Sequence, residues 1–229
     1  MKPAAFDYFA PETEAEALAL LARHGPDARL LAGGQSLVPL MNARALRPAV
    51  LIDLNRLPGL AGIALADNGD LVIGSMTRQR ALEREPLVRR ELPALAEALP
   101  CVGFPQTRNR GTLGGSLAHA DPAAELPALA LAYGASLRIR SARGERAIPA
   151  AELFVGSFAT TLTPDELLAS ISFPAAGRAG GAAFAETARR QSHRAEAGAV
   201  ARVELAADGT IGACELTLFG VADRPVALP

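Results

Sequence analysis

The spacing of hydrophobic and polar positions changes several times along the chain, and each change predicts a different element. Apolar residues recur at helical spacing over 13–24, where Thr13 followed three residues later by Glu16 is typical of a capping box. Short apolar runs at 28–31 and 50–53 predict buried strands, so residues 1–56 are expected to form a small β-α-β-like lobe. The period then becomes that of a hairpin, with strands at 62–65 and 71–74.

A second lobe is predicted over residues 57–174. Thr77 can cap a helix that runs to about Glu83, and the apolar positions of 87–99, interrupted by Pro93, predict two short helices. The elements predicted next are a helix at 125–133, a strand at 136–141, a turn at 143–144, a short helix near 150–154 and a strand at 166–173. Residues 174–181 are rich in Pro, Gly and Ala, which is typical of a linker.

A partial C-terminal lobe is predicted over residues 182–229. Strands are expected at 182–190, 197–205 and 211–221, with Asp208 and Gly209 turning between the last two, so this lobe is a three-stranded antiparallel sheet. Such a sheet exposes a face, and the pattern predicts no helices after it that would cover that face. The fold class predicted from the whole pattern is α+β.

Composition narrows the classes of function. The chain has 229 residues, half of them apolar, and a formal net charge of -1, which predicts a folded globule of two or three lobes. No apolar run reaches the roughly 18 residues that span a bilayer, and the N-terminus lacks a signal-peptide core, so a cytoplasmic location is expected. The balanced charge and few aromatic residues argue against a nucleic-acid surface. Cys101 and Cys214 cannot supply the four thiolates of a cluster or zinc ribbon, so no metal site is predicted.

The run from 106 to 127 carries the first candidate binding chemistry. Gly111, Gly114 and Gly115 lack a Cβ, so the backbone there can take positive φ, approach a partner closely and present N–H groups in a row, which suits a phosphate. Thr112 and Ser116 add hydroxyl donors. Glu125, at the head of the next apolar run, can accept hydrogen bonds from sugar hydroxyls. Ordinary turns are the alternative interpretation, because most Gly-Gly pairs are turns.

A second glycine motif, A-G-G-Q-S at 32–36, follows the strand at 28–31 and precedes a short helix predicted at 37–41. Strand, paired glycines and helix in this order aim backbone N–H groups at an anion. Two such segments can hold a pyrophosphate from both sides. Neither is a Rossmann or a Walker motif, since G-x-G-x-x-G and G-K-[ST] are absent from both.

The histidines give no catalytic arrangement. His24 is expected to end the first helix, and His119 lies in the 106–127 run, where a hydrogen-bonding role is favoured over acid-base catalysis. His193 belongs to the basic cluster at 189–194, which is either a solvated strand end or part of a site. No Ser-His-Asp or Cys-His order supports hydrolysis, so no catalytic side chain is predicted.

Taken together, A-G-G-Q-S at 32–36 and T-L-G-G-S at 112–116, followed by A-D-P-A-A-E-L-P, resemble the FAD-binding medium subunit of molybdenum hydroxylases. This group contains the flavoprotein of carbon monoxide dehydrogenase and the flavin domain of xanthine dehydrogenase. The resemblance spans essentially the whole chain, including F-D-Y-F-A-P at 6–11 and V-I-G-S-M-T at 72–77.

The resemblance implies a PCMH-type FAD-binding fold, in which two N-terminal α/β lobes and a C-terminal antiparallel lobe hold FAD between them. It implies that both glycine motifs grip the diphosphate and that Glu125 contacts cofactor hydroxyls. Electrons would arrive from a [2Fe-2S] small subunit, fed by a molybdopterin large subunit that hydroxylates the substrate, in a heterotrimer that can dimerise. The flavin would pass them to an external acceptor. The implied FAD contacts are Ala32, Gly33, Gly34, Gln35, Ser36, Thr112, Leu113, Gly114, Gly115, Ser116, Glu125 and Arg194.

The sequence departs from the family at four places. The family usually has Asn at the position of Ser116 and Asp at that of Glu125, which keeps the type of polar group. Where it tends to read R-R-x-G-D, an aromatic and Ala, this chain has His193 and Arg194 in place of the acid and the aromatic near the flavin ring. An arginine plane can lie over the ring and raise its potential. The family also continues beyond a position like Pro229, so a truncated or minimal last lobe is expected.

Two other functions fit the same residues. One is a flavin-free scaffold that keeps the fold and the partner surface of such a subunit. The other is a self-contained FAD oxidoreductase of the wider superfamily that includes UDP-N-acetylenolpyruvoylglucosamine reductase, which would need a substrate domain of its own.

Overall fold

A parallel three-stranded sheet opens the chain in the computed structural model, which describes residues 2–175, 180–190 and 192–228. Its strands are β1 (Asp7–Phe9), β2 (Ala28–Leu31) and β3 (Val50–Asp53), in the order β1-β3-β2. Helix α1 (Glu14–His24) connects the first two strands, and α2 (Leu37–Asn42) precedes the third. The Thr13 side chain caps α1 in the predicted capping box with Glu16. The strand β1 was not predicted, because three residues give too short an alternation to recognise.

The middle of the chain builds an antiparallel five-stranded sheet with helices on it. The strands are β4 (Ile63–Leu65), β5 (Leu71–Gly74), β6 (Ser136–Ser141), β7 (Gly144–Pro149) and β10 (Leu167–Phe173), in the order β4-β5-β10-β6-β7. A separate hairpin pairs β8 (Phe154–Gly156) with β9 (Ala159–Thr160). The helices are α3 (Gln79–Arg84), α4 (Pro86–Glu91), α5 (Pro93–Ala98), α6 (Pro105–Arg110), α7 (Leu113–His119) and α8 (Glu125–Ala132). The break at Pro93 and the strand at 136–141 are confirmed.

Thr77 does not cap α3, so that prediction is wrong. Its Oγ1 accepts a hydrogen bond from the N–H of Gly62 and donates one to the carbonyl oxygen of the same residue, both at 3.0 Å. The hydroxyl therefore joins the segment before β4 to the segment after β5, and the helix begins two residues later at Gln79. A capping residue is recognised by local spacing, and this partner lies fifteen residues away.

The last sheet has four strands rather than the predicted three. They are β11 (Gly180–Thr187), β12 (Ala197–Leu205), β13 (Ile211–Phe219) and β14 (Val226–Leu228), antiparallel in that order. Of the predicted linker at 174–181, residues 176–179 lie outside the described residues. The fold class is α+β, as predicted.

One face of this sheet is covered, contrary to the prediction that no helix would cover it. The helices α5 and α8, from the middle of the chain, pack against it, and its Val200 and Phe219 are fully buried. The Arg202 guanidinium donates to the Ala132 carbonyl oxygen at 2.9 Å, and the N–H of Phe184 donates to Glu97 Oε2 at 3.0 Å. The covering helices were predicted, but sequence spacing does not show that they face a sheet about ninety residues later.

Two hydrophobic clusters run across the sheets. The smaller joins α1 and the first sheet to Met76 and Leu167 of the middle region, and the larger joins the middle helices to Val200 and Phe219. The boundaries of the three lobes, at 1–56, 57–174 and 182–229, stay a prediction. No helix among the described residues is long and apolar enough to cross a membrane.

Candidate functional site

The first glycine motif, residues 32–36, forms a bend between β2 and α2. Gly34 has φ of +73°, a conformation that favours glycine. The N–H groups of Gly33, Gly34, Gln35 and Ser36 donate to no acceptor among the described residues. Buried backbone donors are rarely left without a partner, and Gly33 is buried. Four consecutive free donors therefore form a cradle that suits an anion.

The second glycine motif, residues 112–116, begins the helix α7 and is not an open turn. The N–H of Gly114 donates to the Ser75 carbonyl oxygen at 2.8 Å, and that of Gly115 donates to the Thr112 hydroxyl at 3.0 Å. Neither these glycines nor Gly111 has positive φ. The prediction that they take positive φ and present a row of free N–H groups is therefore wrong, since Thr112 acts as the helix N-cap.

The glycines around the second motif allow this segment to pack closely against its neighbours in the fold. A Cβ on Gly114 would lie 2.5 Å from the Cβ of Ser75, and one on Gly111 would lie 2.6 Å from Gln79 Oε1. A side chain at Gly114 would push α7 away from the segment between β5 and α3, whereas one at Gly111 would displace the buried Gln79 side chain. The glycines thus allow close approach between parts of the protein itself, and their predicted close approach to a phosphate stays a prediction.

The two motifs lie in direct contact. A Cβ on Gly33 would be 2.3 Å from the carbonyl oxygen of Arg110 and 2.8 Å from the Cα of Gly111. A Cβ on Gly115 would be 3.5 Å from that of Ala32. The fold thus brings together two segments separated by about eighty residues, at a distance that only glycine allows.

A hydrogen-bond network that sequence reasoning missed joins the motifs. Asn55 Nδ2 donates to the Ala32 carbonyl oxygen at 2.9 Å, and Arg78 Nη2 donates to Asn55 Oδ1 at 2.5 Å. The other guanidinium nitrogen of Arg78 donates to the Arg110 carbonyl oxygen. One signal could have found Asn55: it follows β3, which is parallel to β2, and the carboxyl ends of parallel strands meet at one edge of a sheet.

Asp53 supports this network from the end of β3. Tyr8 donates its hydroxyl to Asp53 Oδ2 at 2.5 Å, and the N–H of Asn55 donates to Oδ1 at 2.8 Å. Burial acts to raise the pKa of Asp53, but these hydrogen bonds outweigh it and hold the pKa below its usual range. The carboxylate is therefore ionised at neutral pH and fixes the loop that carries Asn55.

Glu125 begins α8 and is 6% exposed. Burial, together with the charges of Glu186 and Asp121, raises the pKa of Glu125 to about 7. Burial also raises the pKa of Glu186, whose Oε2 has no hydrogen-bond partner. At neutral pH Glu125 is therefore divided between a carboxylate that accepts hydrogen bonds and a carboxyl that also donates one.

Arg194 lies at the C-terminal end of α7, opposite the end that carries Thr112. It forms an ion pair with Asp121, and its guanidinium carbon is 6.0 Å from the centre of the Phe158 ring. The Phe158 ring is in turn 5.1 Å from the ring of His119. Burial lowers the pKa of His119, which favours the neutral imidazole. The ring of His193, which also belongs to the basic cluster at 189–194, has its centre 6.0 Å from that of the Phe104 ring.

The remaining predicted contacts are distributed along α7. The Leu113 side chain is buried in the core and its N–H donates to the Thr77 carbonyl oxygen, while Ser116 is half-buried. His24 ends α1, as predicted, and packs against Phe9 rather than against the glycine motifs.

The site fits the FAD expected from the resemblance. A diphosphate needs donors, and the first motif has four that are free. A ribityl or ribose hydroxyl needs an acceptor, and Glu125 is one. Beside the second motif, the buried Ser75 Oγ and Gln79 Oε1 have no partner. The described residues contain no cluster of His, Cys, Asp and Glu suited to a metal ion.

Comparisons with known proteins agree with this geometry. A family model described as the FAD binding domain in molybdopterin dehydrogenase matches residues 4–176. The chain is 45% identical over 220 residues to the 6-hydroxypseudooxynicotine dehydrogenase complex subunit alpha of Paenarthrobacter nicotinovorans, covering 96% of this chain and 74% of that protein. It is 40% identical over 228 residues to the carbon monoxide dehydrogenase medium chain of Hydrogenophaga pseudoflava, covering 100% of this chain and 78% of that one.

Solved structures give the same relationship. A chain of carbon monoxide dehydrogenase from Hydrogenophaga pseudoflava superposes with a TM-score of 0.95 at 39% identity, covering 99% of this chain and 78% of that one. A chain of quinoline 2-oxidoreductase from Pseudomonas putida 86 gives a TM-score of 0.93 at 36% identity, with the same coverage of both chains.

Proposed function

Because this chain belongs to the family of FAD-binding domains of molybdopterin dehydrogenases, we propose that it transfers electrons from a partner iron-sulfur subunit through FAD to an external acceptor. It is a flavoprotein subunit of a multi-subunit oxidoreductase of the molybdenum hydroxylase family. The proposal concerns the route of the electrons and the residues that hold the cofactor.

The observation that carries the proposal is the row of free N–H groups at 33–36, held against the second motif. In the proposed site these donors bind the diphosphate, and the hydroxyls of Thr112 and Ser116 approach it from the other side. The free N–H groups are rigidly placed, because Asn55 holds the carbonyl oxygen of Ala32. Charge-assisted hydrogen bonds to an anion each contribute about 1.5–3 kcal/mol.

Glu125 and Arg194 complete the proposed site. Glu125 accepts hydrogen bonds from cofactor hydroxyls through an oxygen that the fold leaves without a strong cationic partner. The guanidinium plane of Arg194, fixed by Asp121, lies beside the ring system and places positive charge there. The bound flavin supplies the redox chemistry, so the side chains bind, orient and tune it.

The proposed partners are a [2Fe-2S] small subunit and a molybdopterin large subunit, in a heterotrimer that can dimerise. The names of the relatives support this, because they describe a subunit alpha of a complex and a medium chain. The cytoplasmic location stays a prediction.

The test is the absorbance spectrum of the freshly purified chain, followed by heat release and identification of the flavin. We expect the two visible bands of oxidised flavin and about one FAD per chain. A colourless chain that also fails to bind added FAD would refute the proposal and favour the flavin-free scaffold. Purification of the complex should in addition recover a cysteine-rich small chain and a much larger one.

A further inference from the structure

An exposed aromatic ring is held in an unusual backbone conformation near Arg194. Phe158 lies in the turn between β8 and β9, with φ of +57°, and 53% of its surface is exposed. Left-handed backbone is unfavourable for a residue with a bulky side chain, and such residues concentrate at functional sites. Three of the four non-glycine residues with positive φ among those described lie on the segments around this ring: Ala120, Phe158 and Ser192.

Contacts on both sides of the hairpin hold this conformation. The N–H of Phe158 donates to the Ala120 carbonyl oxygen at 2.9 Å, directly after α7. On the other side, Ser157 Oγ donates to the Asp223 carbonyl oxygen at 3.3 Å, and Arg224 Nη1 donates to that of Phe154 at 3.2 Å. The turn is therefore fixed between α7 and the loop before β14, and the exposed ring has a defined place.

Two side chains, a guanidinium and an imidazole, pack against the Phe158 ring. His119 lies 5.1 Å from the Phe158 ring centre, and the Arg194 guanidinium carbon lies 6.0 Å from it. Asp121 pairs with Arg194 and fixes the guanidinium. An exposed phenyl ring with a guanidinium over it offers both an aromatic and a cationic group to a planar heterocycle.

We infer that Phe158, together with the Arg194 guanidinium, forms the surface on which the isoalloxazine ring of FAD packs. The inference rests on the proposed function. The glycine motifs lie at the N-terminal end of α7, and seven residues of helix place the Phe158 cluster about 10 Å further along. The segment at 192–195 contains no Phe, Tyr or Trp, so in this inference the β8–β9 hairpin supplies the phenyl contact that this segment lacks.

The test compares the affinities of FAD and ADP for the chain of 229 residues. ADP shares the diphosphate half of FAD and has no isoalloxazine ring. We expect F158A to weaken FAD binding about 5- to 150-fold, the range that alanine replacement of a stacking aromatic gives, and to change ADP affinity less than about twofold. Bound flavin should also fluoresce more strongly in F158A. V155A, which removes another exposed apolar side chain from the same hairpin, is the matched control and should behave as wild type.

F158G covers the case in which F158A folds poorly. Glycine adopts φ of +57° without strain, so F158G is expected to melt above F158A, to bind ADP normally and to lose FAD affinity to the same extent. Wild-type FAD affinity in F158G would overturn the inference. An F158G protein that keeps its FAD affinity but no longer co-purifies with other subunits would also overturn the inference, because Phe158 would then contact a partner protein. A wild-type chain that binds ADP but no FAD would refute the proposed function, and this inference with it.

Discussion

Replacing Gly33 with alanine should force the two glycine motifs apart and weaken FAD binding. The new Cβ would lie 2.3 Å from the Arg110 carbonyl oxygen and 2.8 Å from the Gly111 Cα. Both are backbone atoms, so no side-chain rotation can relieve the contact. Since non-bonded heavy atoms pack at about 3.5–4.0 Å, one motif must move by about 1 Å relative to the other.

The expected losses of folding stability and of FAD affinity follow from the contacts that such a displacement breaks. Overpacking of this kind costs about 1–3 kcal/mol of folding stability, which lowers the melting temperature of a chain of this size by roughly 2–12 °C. If the shift also breaks one charge-assisted hydrogen bond to the diphosphate, FAD affinity falls by about 1.5–3 kcal/mol, or roughly 10- to 150-fold. Affinity and stability should therefore both fall, by similar free energies.

FAD titration monitored by flavin fluorescence, with a thermal melt of the same samples, measures both effects. Gly181→Ala is the matched control, because a Cβ at Gly181 meets nothing within 4 Å and its φ is not positive. We expect that control to bind FAD and to melt as the wild type does. A Gly33→Ala protein with wild-type affinity and melting temperature would show that the two motifs are not in the contact described.

Three further predictions concern the surroundings of the motifs. Arg78→Gln removes the bridge between Asn55 and Arg110 and should weaken FAD binding about tenfold in the same titration, whereas Arg84→Gln, on the same helix, should not. Thr112→Val removes the N-cap of α7 and should lower the melting temperature by about 2–4 °C, corresponding to about 1 kcal/mol. Burial raises the pKa of Glu125 from 4.5 to about 7, so this carboxyl stabilises the FAD-free fold fully below pH 4.5 and loses that contribution as the pH rises through 7. Between pH 4.5 and 8 the wild type should lose stability on the order of 3 kcal/mol from this group, and Glu125→Gln should not, which thermal melts across that range measure. An unchanged pH profile in the variant would contradict the prediction.

The elements that could be predicted from the sequence are those that have a local signal in it. The helix α1 was found because its capping box and apolar spacing lie within twelve residues, and the break between α4 and α5 was found because proline cannot continue a helix. The strand β14 was missed because three residues carry too little alternation. The covering of the last sheet was missed because it depends on contacts of α5 and α8 across the chain.

The structure brings the two glycine motifs together, but the reason for glycine in the second motif differs from the predicted one. Sequence alone does not separate a glycine that needs positive φ from one that needs close approach. At Gly114 the deciding atoms belong to Ser75, about forty residues away, and at Gly111 they belong to Gln79. Asn55 and Arg78 were missed for the same reason, because a side chain that bonds to a distant carbonyl oxygen leaves no spacing pattern.

The two glycine motifs use their backbone N–H donors differently, and the contact between them links cofactor binding to packing. The first motif keeps its backbone donors free, while the second uses its own to hold α7 against Ser75 and Thr77. The free donors of the first motif therefore lie against the second motif only as long as the parallel sheet stays packed on the middle region. Because a ligand that binds only the folded arrangement stabilises it by RT ln(1 + [L]/Kd), FAD at 100 times its Kd adds about 2.7 kcal/mol to that packing. Gly33 and Gly111 thus act on affinity and on stability through the same contact.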